Sequence, residues 1–186
     1  DGIQVCASPG LVAQVFSEND LAGLKGIAAI GHTCYSTCNS RRPATPQPFV
    51  ARHGEWTVAV SHNGNITNAS SLRAELEALG QAFTSDSDAE VVARLIVTGH
   101  GTTWQEKFAH AFRRLQGAYS IAALVPGMIV AARDPMGVRP LSLGTLDGGF
   151  VVASESCALD HIGATFLRDV IPGETVFSDE QMQCQQ

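Results

Sequence analysis

Short runs of β-branched and small apolar residues are interleaved along the chain with segments whose apolar positions recur every three or four residues. Residues 25–32 (KGIAAIGH) and 56–62 (WTVAVSH) are short, apolar and bounded by glycine and polar residues, a pattern that predicts strands. The run containing Cys6 also reads as extended. Leu72, Leu76 and Leu79 fall on one helical face, behind the capping candidates Thr67, Asn68 and Ser70 and ahead of the stop at Gly80. Val91, Val92, Leu95 and Ile96 make a second such face after residues 85–88 (SDSD), and Phe108, Ala111, Phe112 and Leu115 a third. From Ala118 onward the texture turns to strands: 118–125, 128–134, 139–144, 150–156 and 174–178, punctuated by Pro126-Gly127 and Asp147-Gly148-Gly149. Strands joined by tight turns pair antiparallel, and helices grouped in the middle of the chain imply α+β rather than a doubly wound parallel sheet.

Composition narrows the function classes. A chain of 186 residues with no repeat, linker or composition break fits one domain and can bury a core without staples. Five cysteines, an odd count without paired spacings, imply free thiols in a reducing compartment, hence a cytoplasmic location. A net charge of −6, with adjacent arginines only at Arg41-Arg42 and Arg113-Arg114, leaves no basic stripe for nucleic acid. No apolar run approaches a membrane span.

Three short stretches carry candidate chemistry. His32, Cys34 and Cys38 have a metal-like look, but structural zinc needs four ligands and no second Cys or His pair completes the set, so metal is not expected. Asn63-Gly64 on its own marks a type I′ hairpin turn, although a capped helix rather than a second strand follows it. Asp88, closing the SDSD run, stands at a helix start, where the positive end of the dipole keeps a carboxylate ionised.

Taken in order, GHTCYST, PQPF, SHNGN, SDSDAE, GAYS, ARDPMGVRPLSLG, VVASESCALD and PGE resemble the glutaminase domains of the amidophosphoribosyltransferase family, and the likeness runs from about Gly10 to Gly173. These domains are class II glutamine amidotransferases of the N-terminal-nucleophile hydrolase type. The resemblance implies a four-layer α/β/β/α sandwich with two stacked antiparallel sheets, here without its N-terminal edge. It implies hydrolysis of the glutamine side-chain amide, with ammonia passed to a phosphoribosyltransferase domain, in a homo-oligomer. By the same resemblance Asn63 and Gly64 match the oxyanion hole, Asp88 the contact to the glutamine α-amino group, and Thr37 and Tyr35 the pocket wall. No cofactor is implied for this domain; Mg2+ and, in some relatives, an iron–sulfur cluster would belong to parts outside this chain. Other class II members, with other ammonia acceptors, share only the half-site.

Two departures accompany the match. The family nucleophile is an N-terminal cysteine whose own α-amino group is the base, whereas residue 1 here is Asp1 and Cys6 has no free amine. The expectation is an N-terminally incomplete glutaminase domain, inactive as it stands and without the phosphoribosyltransferase domain. Cys34 occupies the position of a family arginine that pairs with the glutamine α-carboxylate, a task suited to a planar fork of donors and not to a thiol. Arg41 or Arg42 is the candidate replacement. A degenerate, binding-only relative is the alternative function.

Overall fold

The computed structural model describes residues 2–34, 46–178 and 184–185. The elements in chain order are α1 (Val12–Val15), α2 (Glu18–Gly23), β1 (Phe49–His53), β2 (Trp56–Ile66), α3 (Ala69–Ala78), α4 (Asp88–Thr98), α5 (Trp104–Phe112), β3 (Gly117–Val125), β4 (Met128–Arg133), β5 (Ser142–Leu146), β6 (Gly149–Ala153), α6 (Ser156–His161), β7 (Thr165–Asp169), β8 (Thr175–Ser178) and β9 (Cys184–Gln185).

The strands form two sheets, one in the order β1-β2-β3-β4-β8-β9 and one in the order β6-β5-β7. All ladders among the described residues are antiparallel, as the tight turns require. Strand alternation divides the core in two. Val58 and Val60 of β2, Tyr119, Ile121, Ala123 and Val125 of β3, and Val130 and Ala132 of β4 pack with α3, α4 and α5. The opposite faces of β3 and β4, through Leu124, Ile129 and Ala131, meet Val176 of β8 and Leu143, Phe150 and Val152 of the smaller sheet. On the far face of that sheet Gly144 lies against Leu159 of α6. The layers are therefore helices, sheet, sheet, helix, the α/β/β/α sandwich that the resemblance implied.

The three central helices form where the apolar periodicity predicts them. α4 is buried along nearly its whole length, including Val91, Val92, Leu95 and Ile96. Its first turn is capped by Ser87, whose hydroxyl accepts from the Ala89 N–H at 3.2 Å. Its last turn is closed from outside: Lys107 of α5, only 4% exposed, donates to the carbonyls of Val97 (3.2 Å) and Gly99 (2.7 Å). The same ammonium stands 4.5 Å from the ring centroid of Trp56, the first residue of β2. A reciprocal capping box between Thr103 and Glu106 starts α5.

Several expectations are corrected. Residues 25–32 are not a strand: none of them enters a ladder, Ile27 is 85% exposed, and only Ala28 touches the core between the sheets. Apolar composition alone does not make a strand without a pairing partner. The run around Cys6 is likewise irregular. Asn63-Gly64, which the capped helix after it already argued against as a hairpin turn, lies within β2, which continues through it to Ile66 paired with β3. Asn68 stands at the N-cap of α3 but does not cap it. Its amide instead donates to the Arg114 carbonyl and accepts from the Gln116 N–H, tying α3 to the α5–β3 connection.

Candidate active site

The carboxyl end of β2 carries the candidate chemistry. Pairing there runs Asn63↔Ser120, Gly64↔Tyr119, Asn65↔Ala118. The Tyr119 N–H and C=O bond to Asp134, on the β4 side of β3. Gly64 and Tyr119 therefore form a non-hydrogen-bonded pair, and the Gly64 N–H is directed off the other edge of β2. Its neighbours on that edge are occupied. The His62 N–H donates to Gln47 Oε1 at 2.8 Å, and the His62 carbonyl accepts from Gln47 Nε2 at 3.4 Å. The Ile66 N–H donates to Asp88 Oδ2 at 3.0 Å. Gly64 thus offers a backbone donor between two clamped positions, beyond Phe49, where the ladder to β1 begins.

Gly64 is required there. Its φ is +152°, and an added Cβ would collide with the Ala118 carbonyl across the ladder. Gly117, the residue before Ala118 on β3, is under the same constraint from the Asn65 carbonyl. Two bare Cα atoms let the strands approach closely where the donor must project. Asn63 is exposed, and alternation sets its side chain on the face opposite His62.

Asp88 reaches this edge from the first residue of α4. Its Oδ1 lies 3.2 Å from Nδ1 of His62, an imidazole whose side chain is 2% exposed. Burial alone raises the Asp88 carboxyl. The hydrogen bond and charge of His62, with the amides of Ile66 and Ala89, outweigh it and hold the group below its ordinary value of 3.8. Asp88 is accordingly an anion at neutral pH. The approach to α4 is shaped by Glu90, whose carboxylate accepts from the Thr84 and Ser85 N–H groups and from both hydroxyls. Burial also raises this group, and the four donors outweigh it and leave it below 4.5. Burial and the neighbouring His62 hold the His32 imidazole below 6.5.

Of the predicted site residues, the structure brings Gly64 and Asp88 to one edge of β2, with Asn63 next to Gly64 on the same strand. Cys34 is described and exposed. Tyr35, Thr37, Cys38, Arg41 and Arg42 lie outside the described residues. His62 and Gln47, which frame the edge, were not singled out as site residues, although both sit in the motifs SHNGN and PQPF. Among the described residues no group of three or more His, Cys, Asp or Glu side chains could hold a metal ion, and no helix is long and apolar enough to cross a membrane. Two surface cavities of about 470 and 330 Å3, the first lined by Ile3, Val5, Val50, Arg52 and Arg94, include none of the predicted site residues.

Comparison with known proteins gives this edge a context. Residues 36–161 match the family described as a glutamine amidotransferase domain. The chain is 45% identical over 185 residues to amidophosphoribosyltransferase 2, chloroplastic, of Arabidopsis thaliana, covering 98% of this chain and 33% of that protein. It is 40% identical to an amidophosphoribosyltransferase of Archaeoglobus fulgidus, covering 94% of this chain and 39% of the relative. A solved structure of glutamine phosphoribosylpyrophosphate amidotransferase from B. subtilis, complexed with ADP and GMP, superposes with a TM-score of 0.84 at 37% identity over 95% of this chain and 38% of that one. The chain spans about a third of the length of the curated relatives it matches. With most of its length matched by the family and its fold shared with a solved member, the chain belongs to the glutamine amidotransferase domain family.

Proposed function

We propose that this chain is the glutamine-hydrolysing domain of an amidophosphoribosyltransferase: it releases ammonia from the side-chain amide of glutamine for attack on phosphoribosyl pyrophosphate. The product is 5-phosphoribosylamine, in the first step of de novo purine synthesis, within a cytoplasmic homo-oligomer. The observation that carries this reading is the pairing on one strand edge of a projecting N–H at Gly64 with an ionised carboxylate at Asp88. Glutamine presents the complement, a carbonyl oxygen that gains charge during acyl transfer and an α-ammonium group. Asn63 adds a side-chain N–H donor next to the Gly64 amide. Attack by a cysteine thiolate forms a thioester and expels ammonia; water then releases glutamate. In this reading the cysteine is N-terminal and its own α-amino group is the base, taking the thiol proton and passing it to the departing nitrogen. Mg2+ and any iron–sulfur cluster are assigned outside this domain.

Cys34, exposed at the position of the family arginine, favours a second reading in which the domain binds an amino acid or a partner without hydrolysis. One experiment separates the two. Intact-mass measurement with N-terminal sequencing of the native protein, followed by a glutamate-release assay, supports the enzyme if a terminal cysteine is found and glutamate forms. A native protein without that cysteine, or one that has it and releases no glutamate, supports the binding-only reading.

A further inference from the structure

His62 is held more tightly than a core histidine needs to be. Its backbone N–H and C=O are both taken by the Gln47 side chain, at 2.8 and 3.4 Å. Its ring is buried, Nδ1 faces Asp88 Oδ1 at 3.2 Å, and Nε2 has no hydrogen-bond partner among the described residues. An imidazole with its backbone clamped and one ring nitrogen committed to a carboxylate fixes the plane of that carboxylate. The other Asp88 oxygen is bound by the Ile66 N–H. His62 and Ile66 lie two residues before and two residues after Gly64 on β2.

We propose that His62 is a positioning residue for glutamine binding: its Nδ1–H orients the Asp88 carboxylate, and with the Ile66 amide it sets the span between that carboxylate and the Gly64 N–H. This rests on the reading of Asp88 as the partner of the substrate ammonium. Glutamine can span from its α-nitrogen to its side-chain carbonyl only up to the length of its extended chain, so a carboxylate free to rotate would meet the ammonium only part of the time while the carbonyl is held at Gly64. The loss falls on binding, because His62 acts through Asp88, whose partner in the proposed reading is the substrate ammonium rather than the scissile amide.

The test uses the full-length protein that contains this chain. In His62→Leu the donor is lost at similar volume; in His62→Asn an amide N–H stands close to where Nδ1–H was. His62→Leu is expected to raise the KM for glutamine about tenfold or more, the scale of one charge-assisted hydrogen bond, with kcat changed less than about threefold. His62→Asn restores the KM to within about threefold of the wild type. In an Asp88→Asn background His62→Leu adds less than about twofold, since it acts only through Asp88. An unchanged KM in His62→Leu, or KM effects that multiply in the double variant, overturns the proposal. Nitrogen NMR of 15N-histidine-labelled wild-type protein reads the ring without any variant or substrate. A proton on Nδ1 in a hydrogen bond supports the orienting contact to Asp88 independently of glutamate release; a bare Nδ1 beside Asp88 overturns that contact and with it the proposal.

Discussion

Gly64 and Ala118 approach so closely across the β2–β3 ladder that a methyl group on the first would collide with the carbonyl oxygen of the second. The conflict is with backbone, so no side chain can swing away to relieve it. Gly64→Ala combines that clash with a φ of +152°, and we expect it to destabilise the protein by about 2–4 kcal/mol. Urea unfolding gives the loss directly. A midpoint within error of the wild type would show that the strands can spread at this point.

Asp88→Asn keeps the shape of the side chain and removes its charge. One amide oxygen can still accept from Ile66 or face His62, but the charge that the proposed function pairs with the glutamine ammonium is gone. The KM for glutamine in the full-length protein is expected to rise about ten- to a hundredfold, with a smaller change in kcat. Steady-state glutamate release over a range of glutamine concentrations measures both.

Cys34→Arg tests the second departure from the family pattern. On the proposed reading a guanidinium there would pair bidentately with the α-carboxylate, worth roughly 1.5–3 kcal/mol, so the KM for glutamine should fall about ten- to a hundredfold. An unchanged KM would mean that the carboxylate is bound elsewhere, and Arg41→Ala and Arg42→Ala would then be the next variants to assay.

Glu90 predicts a pH dependence. Its folded value lies below its ordinary 4.5, where it stays in the unfolded chain, because the Thr84 and Ser85 donors outweigh burial. Its contribution to stability is therefore complete above about pH 4.5 and is lost as pH falls through the folded value. Glu90→Gln replaces one acceptor oxygen with a donor facing donors and should cost about 2 kcal/mol at pH 7. The gap between variant and wild-type unfolding free energies should narrow at low pH; a constant gap would exclude charge as its cause.

Legibility varied with how local the cause was. α3, α4 and α5 were visible because their apolar stripes are a property of neighbouring residues, and so was the alternation of β3 and β4. β7 was not, because most of its five residues are exposed and its pairing with β5 shifts register between Leu143 and Gly144. β1 was missed too, since Phe49–His53 carries only two fully buried positions and gains its identity from β2. In the site, Gly64 and Asp88 were reached through motifs with a known order. The framing roles of Gln47 and His62 depend on contacts across the fold, Gln47 reaching 15 residues along the chain, and no local pattern announces them.

The two fastenings of α4 make a closed frame. At its amino end Asp88 is pinned to His62 and Ile66, near the carboxyl end of β2. At its carboxyl end Lys107 grips Val97 and Gly99 while lying over Trp56, where β2 begins. Helix and strand are thus braced like two members of a truss, and sliding one along the other requires both joints to fail together. The distance from carboxylate to Gly64 is set by a rigid frame rather than by a loop, so the far joint at Lys107 guards the geometry of a site it never touches.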